Sequence, residues 1–198
     1  MSTLIVYCHP YDKSFCHAVM EAVAVRARRA GDAVVVQDLY ADGFSPAMTT
    51  EELADYGSGK PHDLLVARYV DELCAADHLA LVFPVWWNDA PAMLRGWLDR
   101  VLLIGRTWEA GPQGLVGLLG RIREVTLYTT SDNPTSFLET TTGNGIRRTL
   151  LDGTFMQLGI ERRVWHNFGC CSTSTKEERL AWLEGVEKDT LPQAEPEV

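Results

Sequence analysis

The chain has 198 residues, 46% of them apolar and 23% charged, which suits one soluble domain large enough to bury a core. A net charge of −9 argues against nucleic acid and anionic membrane surfaces as partners, though not against a phosphate held locally by a helix amino end. Five cysteines, with Cys170 and Cys171 adjacent, make no disulfide framework and no zinc pattern, so no metal is expected. The amino terminus lacks a basic region before its apolar run, and no run approaches the ~20 residues that cross a bilayer. A reducing, cytoplasmic setting without stable membrane insertion is the expectation.

Leu4-Ile5-Val6-Tyr7-Cys8 reads as a first buried strand. The loop His9-Pro10-Tyr11-Asp12-Lys13-Ser14 follows, and a helix from Ser14 or Phe15 to about Arg29, with Ser14 as its cap and Gly31 as its stop. Ala33 to Leu39 is the second strand. Tyr40 to Pro61 is longer than an ordinary connection and holds one short helical stretch at Thr50 to Tyr56. A helix over His62 to Ala76 leads to the third strand, Leu79 to Phe83.

The next loop carries Pro84, Val85, Trp86, Trp87, Asn88 and Pro91 before a helix from about Ala90 to Ile104. Two adjacent tryptophans and two prolines exceed what a strand-to-helix turn needs. They either cap the core from outside or form a wall for a planar ligand. Gly105 to Leu119 reads as a Gly-rich loop bearing Trp108. Arg123 to Thr130 is the fourth strand, Ser131 to Ser136 a polar loop, and Thr142 or Asn144 to Met156 a helix closed by Gly159. Ile160 to Phe168 is the fifth strand, and Thr175 to Asp189 a charged helix capped by Ser174 or Thr175. Residues 1–190 form one domain, and 191–198 read as a frayed tail.

Strands alternating with helices predict an α/β three-layer sandwich around a five-stranded parallel sheet in the flavodoxin-like order 2-1-3-4-5. In that order the loops after strands one, three and four meet at the switch point. His9, Lys13 and Ser14, with the helix amides of Phe15 and Cys16, would cradle a phosphate. Trp86, Trp87 and Asn88 would face Thr129, Thr130 and Ser131 across a flat polar ring, the shape of a flavin. His17, His62, His78 and His166 read as structural, and Cys170 and Cys171 as buried thiols.

Three blocks carry a family resemblance over essentially the whole chain: His9-Pro10-x-x-x-Ser14-Phe15, Pro84-x-Trp86-Trp87, and Pro91-Ala92-x-Leu94-x-Gly96-Trp97-x-Asp99-Arg100-Val101, joined by Thr129-Thr130. With these, the sequence resembles the NAD(P)H:quinone oxidoreductases (DT-diaphorase-like, flavodoxin-2). The resemblance implies a flavin held at its phosphates by His9, Ser14, Phe15 and Cys16. Pro84, Val85, Trp86, Trp87, Asn88, Thr129, Thr130 and Ser131 would hold its ring. It also implies a homodimer with Trp108 near the lip of each site, and ping-pong hydride transfer from NAD(P)H through flavin to a quinone-like acceptor. Cys16 stands where the family often has asparagine. Phe137 and Gly143 occupy the approximate positions of a tyrosine and a histidine that relay a proton in quinone reductases. Either solvent then protonates the product, or Asp132 or Asn88 assists, or the physiological acceptor differs. The absence of a long carboxyl-terminal extension favours FMN over FAD. Two alternatives are an ancillary flavoprotein of a potassium efflux system and a flavodoxin-type electron carrier.

Overall fold

The computed structural model describes residues 1–192; the expected fray of the tail falls mostly on 193–198, outside the described residues. Strands β1 (Ser2–Tyr7), β2 (Ala33–Asp38) and β3 (His78–Pro84) are followed by β4 (Trp108–Gly111), β5 (Gly114–Gly117), β6 (Glu124–Thr130) and β7 (Arg162–Phe168). Helices α1 (Phe15–Arg29), α2 (Thr50–Ala54), α3 (Leu64–Ala75), α4 (Ala92–Val101) and α5 (Lys176–Lys188) fall between and after them. The main sheet is parallel in the order β2-β1-β3-β6-β7, the expected 2-1-3-4-5 once the two extra strands are set aside.

Alternation along each strand sorts the core into two layers. Leu4, Val6, Leu79, Leu81 and Phe83 pack on one face with Leu73, Trp97 and Val101 of α3 and α4. Ile5, Tyr7, Ala80 and Val82 pack on the other with Val19, Val23 and Val186 of α1 and α5. The central strands are apolar on both faces because both faces are covered by helices.

The long segment between β2 and α3 is pinned by a buried arginine. Arg100, 4% exposed, donates from Nε and Nη2 to Glu52 Oε1 (3.0 and 2.6 Å) and from Nη1 to the Ser45 carbonyl (2.5 Å). It also reaches Asp63 Oδ2 at 3.3 Å and lies over the Phe44 ring. Gly96 lets α4 approach the same segment: a Cβ there would lie 2.2 Å from the Pro46 carbonyl oxygen.

Two stretches differ from the sequence reading. Trp108 to Leu119 is not a plain loop, because β4 and β5 pair as an antiparallel hairpin around Pro112-Gln113. The helical region before β7 starts earlier, at Phe137–Thr141, continues over Arg147–Phe155, and winds with π-helical pitch. Thr142 N–H donating to the Phe137 carbonyl shows the five-residue step. Among the described residues, no helix is long and apolar enough to cross a membrane.

Candidate functional site

The loops at the carboxyl ends of β1, β3, β6 and β7 are knitted together. The His9 and Trp86 ring centroids lie 6.3 Å apart, joining the first loop to the third. Val85 N–H donates to the Thr130 carbonyl at 2.8 Å, and Ser131 N–H to the Phe168 carbonyl at 3.0 Å. Cys171 N–H returns to the Ser131 carbonyl at 3.0 Å.

At one end, α1 starts with Ser14 as its cap, whose Oγ accepts from His17 N–H at 3.0 Å. The amides of Phe15 and Cys16 find no acceptor among the described residues. His9 Nδ1 accepts from Tyr11 N–H, which puts the ring proton on Nε2, facing outward as a donor. Partial burial holds His9 below the usual histidine range, so this neutral tautomer dominates near neutral pH. Beneath the same turn, Tyr7 Oη and His17 Nδ1 are buried without partners. Burial pushes the Tyr7 phenol up to about 12, so it stays a neutral donor. Unspent donors around a helix amino end fit an anionic oxygen cluster.

At the other end, Trp86, Trp87, Asn88 and Asp89 form a tight turn in which Trp86 and Asp89 exchange backbone hydrogen bonds at 3.0 and 3.1 Å. Trp87 (φ 52°) and Asn88 (φ 64°) both adopt left-handed conformations, unfavourable for a tryptophan and costing of order 1–2 kcal/mol. Their amides have no partners among the described residues. Trp87 is 98% exposed, so its indole caps nothing. The turn is braced by Asp89, whose Oδ1 accepts from Arg95 at 2.5 Å. Across a cavity of about 260 Å³, lined also by Val85 and Phe137, stand Ser131, Asp132 and Asn133.

Not every expected residue presents a free group here. Pro84 is buried at the end of β3. Phe15 packs edge-on to Phe168 and against Trp182. Cys16 is 2% exposed, and burial pushes its thiol up, as it does Cys8 to about 12, so neither is a thiolate. Thr129 is fully buried, its hydroxyl taken by Asn167 and Trp165. Thr130 is 8% exposed, and its carbonyl is the one that receives Val85. The amide and hydroxyl of Ser131 are both spent within the protein. Asp132 is exposed, with Oδ1 accepting from Ser172 N–H at 3.1 Å. Trp108 lines a separate cavity of about 600 Å³ with Arg95, Leu98 and Asp99. Cys170 and Cys171 are partly exposed free thiols rather than buried ones. The side chain that sequence reasoning missed is Asn167, which binds Thr129, Ser131 and Thr135 together.

Comparison with known proteins places this architecture. The flavodoxin-like fold family matches residues 1–182. A protein of Haemophilus influenzae named as an uncharacterised NAD(P)H oxidoreductase is 31% identical over 186 residues, covering 93% of this chain and 91% of its own. Other curated relatives match over about half their length. The NAD(P)H:quinone oxidoreductase of Methanothermobacter marburgensis superposes with a TM-score of 0.84 at 26% identity, covering 96% of this chain and 97% of that one. The FMN-dependent NADH-azoreductase of Bacillus anthracis, solved with FMN, shares the fold at 19% identity and a TM-score of 0.79, covering 96% and 98%. With a whole-length relative above 30% identity and the shared switch-point architecture, the chain belongs to the flavodoxin-2, NAD(P)H:quinone oxidoreductase family.

Proposed function

We propose that this protein is a flavin-dependent NAD(P)H oxidoreductase that holds FMN and reduces a quinone-like acceptor. The observation that carries the reading is the pairing of unspent donors. The free amides of Phe15 and Cys16 stand beside His9, and those of Trp87 and Asn88 border a cavity walled by Ser131 and Asn133. The first set suits a phosphate and the second the polar edge of a ring. When bound, the flavin would supply two-electron hydride chemistry, which no side chain here offers.

The chain's own residues do the rest. The first turn of α1, capped by Ser14, would hold the phosphate with its amides, and neutral His9 would donate to it from Nε2. Cys16 contributes its amide, because its thiol is buried and protonated. Pro84 and Val85 fix the exit from β3, and the turn would offer the Trp87 and Asn88 amides to the ring edge. Donors already in place there would stabilise negative charge on the ring edge. Thr129 and Thr130 hold the opposite wall from behind, while Ser131 forms its surface.

Trp87 and Phe137 line the open side, where nicotinamide and acceptor would bind in turn, as a ping-pong reaction requires. Phe137 carries no proton. Solvent would protonate the reduced product, or Asp132 or Asn88 would assist.

A homodimer is part of the proposal. Leu53, Leu115, Val116 and Met156 are exposed, and Leu53 and Leu115 line the Trp108 cavity. Five free cysteines suit a reducing, cytoplasmic setting. Residues 1–190 are proposed to act as one unit.

Purified protein reconstituted with FMN should oxidise NADH or NADPH when menadione is added. Failure to bind FMN, or failure of both nicotinamides to bleach the bound flavin, would refute the reading.

A further inference from the structure

We propose that Asn167 is a positioning residue that sets the Ser131–Asn133 wall of the ring cavity through a hydrogen-bond chain of fixed polarity. The inference rests on the flavin reading above for its functional meaning.

Asn167 sits opposite Thr129 in the β6–β7 ladder, next to the last pair, Thr130 and Phe168. Trp165 Nε1 donates to Thr129 Oγ1 at 2.8 Å. Thr129 Oγ1 donates to Asn167 Oδ1 at 2.7 Å. Asn167 Nδ2 donates to Ser131 Oγ at 2.9 Å, and Ser131 Oγ donates to the Asn133 carbonyl at 2.7 Å. A side branch runs from Asn167 Nδ2 to Thr135 Oγ1 at 3.0 Å.

Both ends of this chain are chemically one-way. An indole N–H only donates, and a carbonyl oxygen only accepts. Each hydroxyl between them has one proton, already committed in the forward direction. The carboxamide is therefore fixed with oxygen toward Thr129 and nitrogen toward Ser131. Only asparagine or glutamine joins an acceptor to a two-proton donor in this way. The Ser131 hydroxyl points its proton at Asn133, within the wall, and offers the ring no donor. Its service is to hold the Asn133 carbonyl back, so that the cavity meets its ligand with a wall of set shape.

Asn167→Asp tests this directly. It keeps the size and the acceptor facing Thr129 but removes both donors. Ser131 would then turn its proton toward the carboxylate and release Asn133. FMN and riboflavin affinities would be measured for the wild type, Asn167→Asp, Ser131→Ala and the double variant. Each single change should weaken FMN about ten-fold, the size expected for one hydrogen bond, with the double no worse than the singles. Riboflavin should lose the same factor, leaving the FMN-to-riboflavin ratio at its wild-type value, because the phosphate end is untouched. General loosening of the fold would instead lower the thermal midpoint and disturb both ends. In the protein without flavin, amide exchange at Phe137 and Ser172, which donate to Pro134 and Asp132 on either side of Asn133, should rise in Asn167→Asp while β1 and β3 stay protected. Unchanged exchange at those amides, wild-type FMN affinity in Asn167→Asp, or additive losses in the double variant would overturn the inference. Absence of flavin binding by the wild type would instead refute the flavin reading, and the exchange measurement would still decide the positioning role. If Asn167→Asp does not fold, Ser131→Ala alone carries the same exchange and ratio tests.

Discussion

Trp87 separates ligand binding from folding with unusual sharpness. The indole is 98% exposed and the residue sits at φ 52°. Truncation to alanine removes no core contact and leaves the left-handed strain in place, so the fold should lose less than about 0.5 kcal/mol. Truncation to glycine also relieves the strain and should stabilise the protein by about 1 kcal/mol, which is a rise of a few degrees in thermal midpoint. FMN should behave oppositely. A flat aromatic contact is worth about 0.5–1.5 kcal/mol beyond its buried area, and the area itself adds more. Loss of the indole should therefore weaken FMN by about ten- to a hundred-fold. Fluorescence titration of FMN against Trp87→Ala and Trp87→Gly, with thermal melts of the flavin-free proteins, checks both halves. Wild-type FMN affinity in both variants would show that Trp87 does not line the ring.

Arg100→Ala strands the 10%-exposed Glu52 carboxylate, which should cost about 3–5 kcal/mol in chemical denaturation. Arg100→Ala combined with Glu52→Ala should recover part of that loss, and strict additivity would count against a coupled pair. Gly96→Ala drives a methyl into Pro46 and should cost about 1–3 kcal/mol, readable as a lower thermal midpoint. His166 is held below the usual histidine range mainly by burial. Its lowered value means that the unfolded chain takes up the proton first. Its contribution is complete above about pH 6.5 and is lost as pH falls through the folded value. His166→Gln should flatten the acid limb of a stability–pH curve below about pH 6.5; an unchanged limb would assign it to other groups.

Much of the scaffold was legible in the sequence because local chemistry and global fold agree there. Ser14 before an apolar helical period marked α1 to within a residue, and continuous runs such as Leu79 to Phe83 marked strands covered on both faces. The hairpin at Trp108–Gly117 escaped because its strands have four residues each and turn through Pro-Gln rather than a turn pair such as Asn-Gly. The early start at Phe137 escaped because π-helical winding shifts the apolar period away from 3.6. At the candidate site, the positions of the loops followed from topology. Which groups remain free did not. Thr129 and Ser131 are spent on Asn167, a residue 36 or more positions away in sequence, and no local motif announces such a bond.

The strand order also bears on how the molecule assembles in time. β1 takes its two neighbours from β2 and β3, so the first loop and the tryptophan turn of the candidate site arise from roughly the first hundred residues. The remaining wall waits for β6 and β7, whose parallel pairing needs a long chain crossover before any bond is gained. Pulse-labelled hydrogen exchange during refolding should therefore show β1 and β3 protected before β7. In that sequence of events the first-loop end of the candidate site matures first, and its Ser131–Asn133 wall closes with the last strands.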